Sequence, residues 1–219
     1  MATATLLAPS PAPAQARRVT APAGNYLLDL TRGWARASPL GDLQGRRMGS
    51  GDVELRFWSG YGSAGTHALV LRKTFAGWAA WRAAVHYCEL VLPHGVGDTL
   101  TRASVQRYQA EARRRCGEPR QGSSGVVITA DTLEVLPLEA GVDLAVLWEE
   151  LEGAGLLRLP PQVARERDGG EEHTYVVEVR RGDEYRASVI GRVAPPQTDA
   201  DRRVQRIDAL LAERLGDGR

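Results

Sequence analysis

"HTYVVEVRRGDEYRASVI", residues 173–190, contains two runs of alternating apolar and polar residues on either side of Gly182-Asp183. The apolar positions are Tyr175, Val177 and Val179 in the first run, and Tyr185, Ala187 and Val189 in the second. A period of two predicts β-strands, and a Gly-Asp pair between two such runs is typical of a tight hairpin turn. We therefore predict an antiparallel hairpin and read the rest of the chain outward from it.

The amino-terminal half repeats this β pattern. Residues 53–60, "VELRFWSG", alternate between one face with Val53, Leu55 and Phe57 and another with Glu54, Arg56 and Trp58, so we expect a half-buried strand. Residues 67–75 and 126–138 also have strand character. Residues 78–87, "WAAWRAAVHY", fit either a strand or a helix. The short turn before them favours a third antiparallel strand.

Two later segments have the period of amphipathic helices. Leu144, Leu147, Trp148 and Leu151 form one apolar stripe, and Val204, Ile207, Leu211 and Leu215 form another. Thr198 and Asp201 have the spacing of a capping box before the second helix. Strands in hairpin-like runs, without regular strand-helix alternation, predict an α+β fold: an antiparallel β-sheet with two or three helices packed on one face. We expect early and late strands to pair with each other.

The first 24 residues differ from the rest. "MATATLLAPSPAPAQA" is rich in alanine and proline, and Ala14-Gln15-Ala16 resembles the site at which signal peptidase cuts. The segment is predicted to be a truncated signal peptide or a disordered Ala/Pro-rich leader. We therefore expect a single domain over residues 25–219.

Residues 93–125 are predicted to leave the sheet as a helical excursion. Five of its arginines form a candidate basic patch: Arg102, Arg107, Arg113, Arg114 and Arg115. Arginines in the last turn complement the helix dipole, and the alternative is a patch that binds phosphate or an acidic partner. Cys88 and Cys116 flank most of this segment. In an exported protein they are expected to form a disulfide contributing roughly 3 kcal/mol, and in a cytosolic protein two unrelated thiols.

Gly60-x-Gly62-x-x-Gly65 has the spacing of a phosphate-binding loop. In dinucleotide-binding proteins such glycines open a helix whose amides hold the pyrophosphate, but here a β-rich run follows. No His-Arg-Asp or Asp-Phe-Gly motif is present, which argues against a kinase. We predict a β-hairpin loop in which Trp58, Gly60 and Tyr61 form a possible exposed ligand-contacting site.

The sequence contains no coherent catalytic set. Its four histidines, His67, His86, His94 and His173, lie in no metal-ligand motif, and neither a metal nor another cofactor is predicted. His67, His86 or His94 beside a carboxylate are the candidates for a hydrolase site. A net charge of +1 does not favour nucleic-acid binding, and no apolar stretch reaches the roughly 20 residues of a transmembrane helix.

Two parts of the sequence resemble a group of uncharacterised bacterial exported proteins. "LWEELEGAGLLRLP" followed by the Tyr-containing hairpin carries the resemblance in the carboxyl-terminal half, and "DVELRFWSGYG" with "LVLRK" and "WAAWRA" carries it in the amino-terminal half. The resemblance implies no activity and no catalytic positions. The Ala14-Gln15-Ala16 site, the cysteine pair and the absence of a coherent catalytic set favour a non-enzymatic periplasmic or secreted protein that acts as a binding or structural module of the cell envelope. The alternatives are a hydrolase and a cytoplasmic protein that binds a partner through residues 102–115.

Overall fold

The computed structural model describes residues 18–61, 65–86, 120–121, 127–128, 132–139, 141–163, 174–191 and 195–216. The strands are β1 (Arg18–Thr20), β2 (Val53–Ser59), β3 (His67–Thr74), β4 (Gly77–His86), β5 (Arg120–Gln121), β6 (Val127–Ile128), β7 (Thr132–Pro137), β8 (Gln162–Val163), β9 (Thr174–Arg181) and β10 (Glu184–Gly191). The helices are α1 (Tyr26–Arg36), α2 (Leu144–Gly153), α3 (Asp199–Leu215) and the short 3-10 helix Leu156–Arg158.

The main sheet has the strand order β1-β10-β9-β2-β3-β4-β7, and β8 also pairs with β10. Every neighbouring pair from β10 to β7 is antiparallel, as predicted. β1 and β8 pair with β10 in parallel, so the sheet is mixed and the expectation of a purely antiparallel sheet is wrong. Neither strand reaches β10 through a tight turn, which is the connection that would impose antiparallel pairing. β5 and β6 form a separate two-stranded sheet.

Helices cover both faces of the main sheet, not one face as predicted. α2 and α3 pack against a core that includes Leu55, Phe57 and Leu71. α1 packs on the opposite face through Leu28, Trp34 and Ala35. We call these the α2/α3 face and the α1 face. The fold is therefore α+β with three layers.

α1 was absent from the prediction, although its sequence has the expected signals. Asn25 is the N-cap, and its side chain accepts a hydrogen bond from the Leu28 amide. Asp29 lies in the first turn, where a negative charge complements the helix dipole. Leu28, Thr31 and Ala35 lie one above another at helical spacing and are buried. Burying this stripe requires a second covered face of the sheet.

The helical excursion predicted over residues 93–125 lies outside the described residues except for β5. Several other predicted elements are confirmed. β9 and β10 form the hairpin with Gly182 at the turn, residues 77–86 are a strand, and β2 pairs with β9 as expected for early and late strands. α2 buries Leu147, Trp148 and Leu151. α3 begins with the capping box of Thr198 and Asp201 and buries the predicted stripe.

Two predictions need correction: where the fold begins, and how β2 is buried. β1 lies inside the predicted leader, so the fold begins by Arg18 and not after residue 24. β2 is buried on both faces rather than one, because α1 and the loop after it cover the side that carries Glu54, Arg56 and Trp58. Residues 87–119, which contain Cys88, Cys116, His94 and the arginines 102, 107 and 113–115, lie outside the described residues, as does His173.

Candidate functional site

A network of charged side chains lies between the sheet and the loop that follows α1. We call it the polar network. Its members are Arg32, Arg46, Glu54, Arg56, Trp58, Arg72, Glu178, Arg180 and Tyr185. Four of its charged members, Glu54, Arg56, Glu178 and Arg180, have no exposed surface. Charges at this depth are stable only when they are paired and hydrogen-bonded.

Glu54 is the centre of the network on β2. Its carboxylate accepts from Arg56 Nε at 2.8 Å and from Arg72 Nε at 2.6 Å, and it also pairs with Arg46. Burial lowers the pKa of Arg46 below its ordinary value, and the Glu54 carboxylate only partly offsets this effect. One buried carboxylate therefore holds three guanidinium groups from three parts of the chain.

The arginines of the network also hold the loop after α1 onto the sheet. Arg56 donates to the Leu40 and Gly41 carbonyls, both at 2.8 Å, and Arg180 donates to the Gln44 carbonyl at 3.1 Å. Backbone carbonyls in a covered loop need such donors because water does not reach them. This part of the network is a clamp on the chain.

Glu178 on β9 has two neutral donors. Its carboxylate accepts from the Tyr185 hydroxyl at 2.8 Å and from Trp58 Nε1 at 3.1 Å. Arg32 of α1 donates to the Tyr185 oxygen at 3.1 Å. Burial, and then the negative charge of Glu178, raise the pKa of the Tyr185 hydroxyl. The hydroxyl therefore stays protonated and keeps donating to Glu178 well into the alkaline range.

The polar network is closed to substrates, so it stabilises the fold and is a poor candidate for chemistry. The predicted ligand-contacting loop is closed in the same way. Trp58 and Tyr61 are 0% and 1% exposed, and both rings lie 6.4 Å from Trp34 of α1. The predicted exposure of these two residues is therefore wrong, while the predicted hairpin between β2 and β3 is confirmed.

An open groove lies at the opposite edge of the sheet, between β4, the end of β7 and the start of α2. Its volume is about 500 Å³. The lining consists of Trp78, Ala79, Ala80, Trp81, Pro137, Leu138, Val142 and Leu144. Ligand pockets are typically of this size and are lined mostly by apolar and aromatic side chains. None of these eight side chains titrates or acts as a nucleophile, so the lining is suited to binding.

Two cations lie over the tryptophans of the groove. Lys73 Nζ is 5.9 Å from the centre of the Trp78 ring, and the Arg72 guanidinium carbon is 5.0 Å from that of Trp81. Arg72 is already bound to Glu54, whereas Lys73 forms no ion pair with any residue that the structure describes. The Trp78 ring also lies 5.7 Å from the Trp148 ring of α2. Trp78 packs against the α2/α3 core and Trp81 against the α1 core, so their rings lie on opposite faces of β4. The Trp78 ring therefore faces the groove from the α2/α3 side, with Lys73 at the rim.

Neither of the two described histidines lines the groove. His67 Nε2 is 2.9 Å from Ser59 Oγ, and His86 Nε2 is 2.9 Å from a Glu134 carboxylate oxygen at an exposed position. The structure thus places one predicted candidate beside a serine and another beside a carboxylate. Within the described residues, no group of three or more His, Cys, Asp or Glu side chains is arranged to hold a metal ion.

No protein-family model, curated protein or solved structure matches this chain. None of the helices in the described part of the chain is long and apolar enough to cross a membrane. The sequence pattern does not predict the groove, because its lining comes from three separate segments. Trp78 and Trp81 fit the pattern of a strand and that of a helix, and neither pattern indicates a groove.

Proposed function

We propose that the protein is a binding module of the bacterial cell envelope, and that its groove holds an apolar, negatively charged segment of a partner protein. The observation that carries this proposal is that Trp78 and aliphatic side chains such as Leu138 and Val142 line the groove, with Lys73 beside Trp78 at its rim. An apolar side chain bound against Trp78 and Leu138 gains by leaving water, and a carboxylate next to it complements Lys73.

An extended peptide fits this edge of the sheet better than a small molecule. Among the described strands, β7 pairs only with β4, and we propose that a bound peptide pairs with its other side. Peptides often bind by adding a strand to a sheet edge, with side chains entering neighbouring pockets. Leu136 of β7 is 53% exposed beside this edge, which adds apolar surface for such a segment.

A random twelve-residue peptide library displayed on phage tests the groove. We expect selected peptides to combine an aromatic or branched side chain with an acidic one, and their affinity to fall tenfold or more in Val142→Arg. Val146→Arg is the matched control, because Val146 is 49% exposed on α2 and does not line the groove. Failure to select any peptide, or equal binding to both variants, would overturn the proposal.

The envelope location is supported by Ala14-Gln15-Ala16, which precedes β1. Cleavage after Ala16 leaves the whole of β1, Arg18–Thr20, in the mature chain. The intact mass of the protein from its native cells, before and after reduction, tests this location. We expect a chain that begins at Arg17 and is two hydrogens lighter until Cys88 and Cys116 are reduced. A chain retaining Met1 with free thiols would instead favour the cytoplasmic alternative and its basic residues 102–115.

A further inference from the structure

Ser59 and His67 form a hydrogen-bonded pair at one end of the sheet. Ser59 is the last residue of β2 and His67 the first of β3, and the two are direct partners across the hairpin. Ser59 Oγ lies 2.9 Å from His67 Nε2, and both residues are half-buried. This is the distance at which a histidine takes a proton from a serine nucleophile.

The pair belongs to a row of polar groups on the α2/α3 face. The β2–β9 register ends at Trp58 and Val176, and its next step places Tyr175 opposite Ser59. The Tyr175 ring lies 5.2 Å from Phe57, and its hydroxyl donates to an Asp208 carboxylate oxygen of α3 at 2.7 Å. Tyrosine, serine and histidine therefore follow one another across three adjacent strands.

Gly60 leaves room for the imidazole of His67. Its φ of +77° is one that side-chain-bearing residues rarely adopt. A Cβ at this position would lie 2.4 Å from the Gly65 carbonyl oxygen and 3.0 Å from His67 Cε1 and Nδ1. A side chain at position 60 would therefore displace the ring from the position in which Nε2 meets Ser59.

We infer that Ser59 is a nucleophile and His67 its general base, and that the pair hydrolyses carboxylic esters. Ser59 Oγ bonds to the ester carbonyl carbon while its proton passes to His67 Nε2. The carbon–oxygen bond to the alcohol then breaks, and the imidazolium returns the proton to the departing alkoxide. Water attacks the acyl-serine, His67 takes its proton, and the acid leaves as Ser59 regains a hydrogen. This site is separate from the groove and does not depend on its function.

Labelling by a fluorophosphonate tests the inference on the full chain, because the reagent phosphonylates an activated serine and releases fluoride. We expect one adduct, mapped to Ser59 by peptide mass spectrometry, and none in Ser59→Ala. His67→Gln is expected to slow labelling ~100-fold or more, the usual contribution of a general base. Ser38→Ala, at a part-buried serine bound only to backbone, is the matched control and should label at the native rate.

A structural role for the pair predicts a different pattern. No adduct at Ser59, or native-rate labelling of His67→Gln, would overturn the inference. If the glutamine variant unfolds, as judged by circular dichroism, His67→Gly with added imidazole replaces it, and labelling that does not recover with imidazole counts against the general base. Val142→Arg in the groove should label at the native rate. Its result separates failure of this site from failure of the binding proposal.

Discussion

The two faces of the sheet are held by different forces. The α2/α3 face buries apolar side chains such as Leu55, Leu147 and Ile207 against one another, and its hydrogen-bonded Ser59–His67 pair lies at one end of the sheet. The α1 face has apolar residues at its ends and the polar network at its centre, where Glu54 and Glu178 are fully buried. The same central strands, β2 and β9, contribute to both.

The two faces should therefore differ in the amino-acid substitutions that they tolerate. Apolar burial is non-directional, so a face built from it accepts side chains of similar volume. Ion pairs and hydrogen bonds require particular atoms at particular positions, and a buried charge that loses its partner keeps its full desolvation cost. The α1 face should therefore depend on the identity of a few residues, and the α2/α3 face on total volume.

Glu54→Gln should give the largest loss, because it leaves buried Arg56 without its carboxylate and releases Arg46 and Arg72. We expect the free energy of unfolding in urea to fall by roughly 3–5 kcal/mol. Glu184→Gln is the matched control, since its ion pair with Arg186 is half-exposed and should contribute about 1 kcal/mol or less. Similar losses of stability in both variants would contradict the role of Glu54 as the centre of the polar network.

Leu147 tests the opposite face with a pair of changes. Leu147 is 1% exposed in the α2/α3 core, so Leu147→Ala should cost about 2–5 kcal/mol by leaving a cavity. Leu147→Met keeps most of the volume and should cost less than about 1.5 kcal/mol. Urea unfolding of both variants measures the tolerance of this face. A methionine variant as unstable as the alanine variant would remove the contrast with Glu54→Gln.

Tyr185→Phe should cost roughly 1–3 kcal/mol at neutral pH, because buried Glu178 loses one of its two donors. Its pH dependence gives a second readout. The folded pKa of Tyr185 is raised, so its contribution is complete below the unfolded pKa of about 10 and is lost as pH rises above it. Between pH 9 and 11 the native protein should therefore lose more stability than the phenylalanine variant. Parallel curves would show that Tyr185 ionises alike in both states.

Much of the fold was predictable because the hydrophobic period is strong where one face meets a core. The β9–β10 hairpin and the α2 and α3 stripes are of this kind. The period also misled, since alternation on β2 was interpreted as one buried and one exposed face. Periodicity reports which residues share a face, and cannot say whether charged residues on the other face are covered.

A signal for the polar network was nevertheless present in the sequence. β2 contains Glu54-Leu55-Arg56, and β9 contains Glu178-Val179-Arg180. Antiparallel pairing places Glu54 opposite Arg180 and Arg56 opposite Glu178, so each acid faces a base. Two Glu-x-Arg segments in strands expected to pair predict such a ladder. The groove and the Ser59–His67 pair have no comparable signal, because each depends on a register and on loop lengths that the sequence pattern does not specify.

The pairing of β2 with β9 has a consequence for how the chain folds. Trp58 and Glu178, which are hydrogen-bonded across these strands, lie 120 residues apart in sequence. β2 and β3 can form early as a local hairpin, and Glu54 on β2 has its partners Arg46, Arg56 and Arg72 in the same half of the chain. Trp58 and the second edge of β2 acquire their partners only when β9 has been synthesised. Long-range pairing of this kind slows folding and exposes intermediates to aggregation. Refolding should therefore show a slow phase in which β2 pairs with β9.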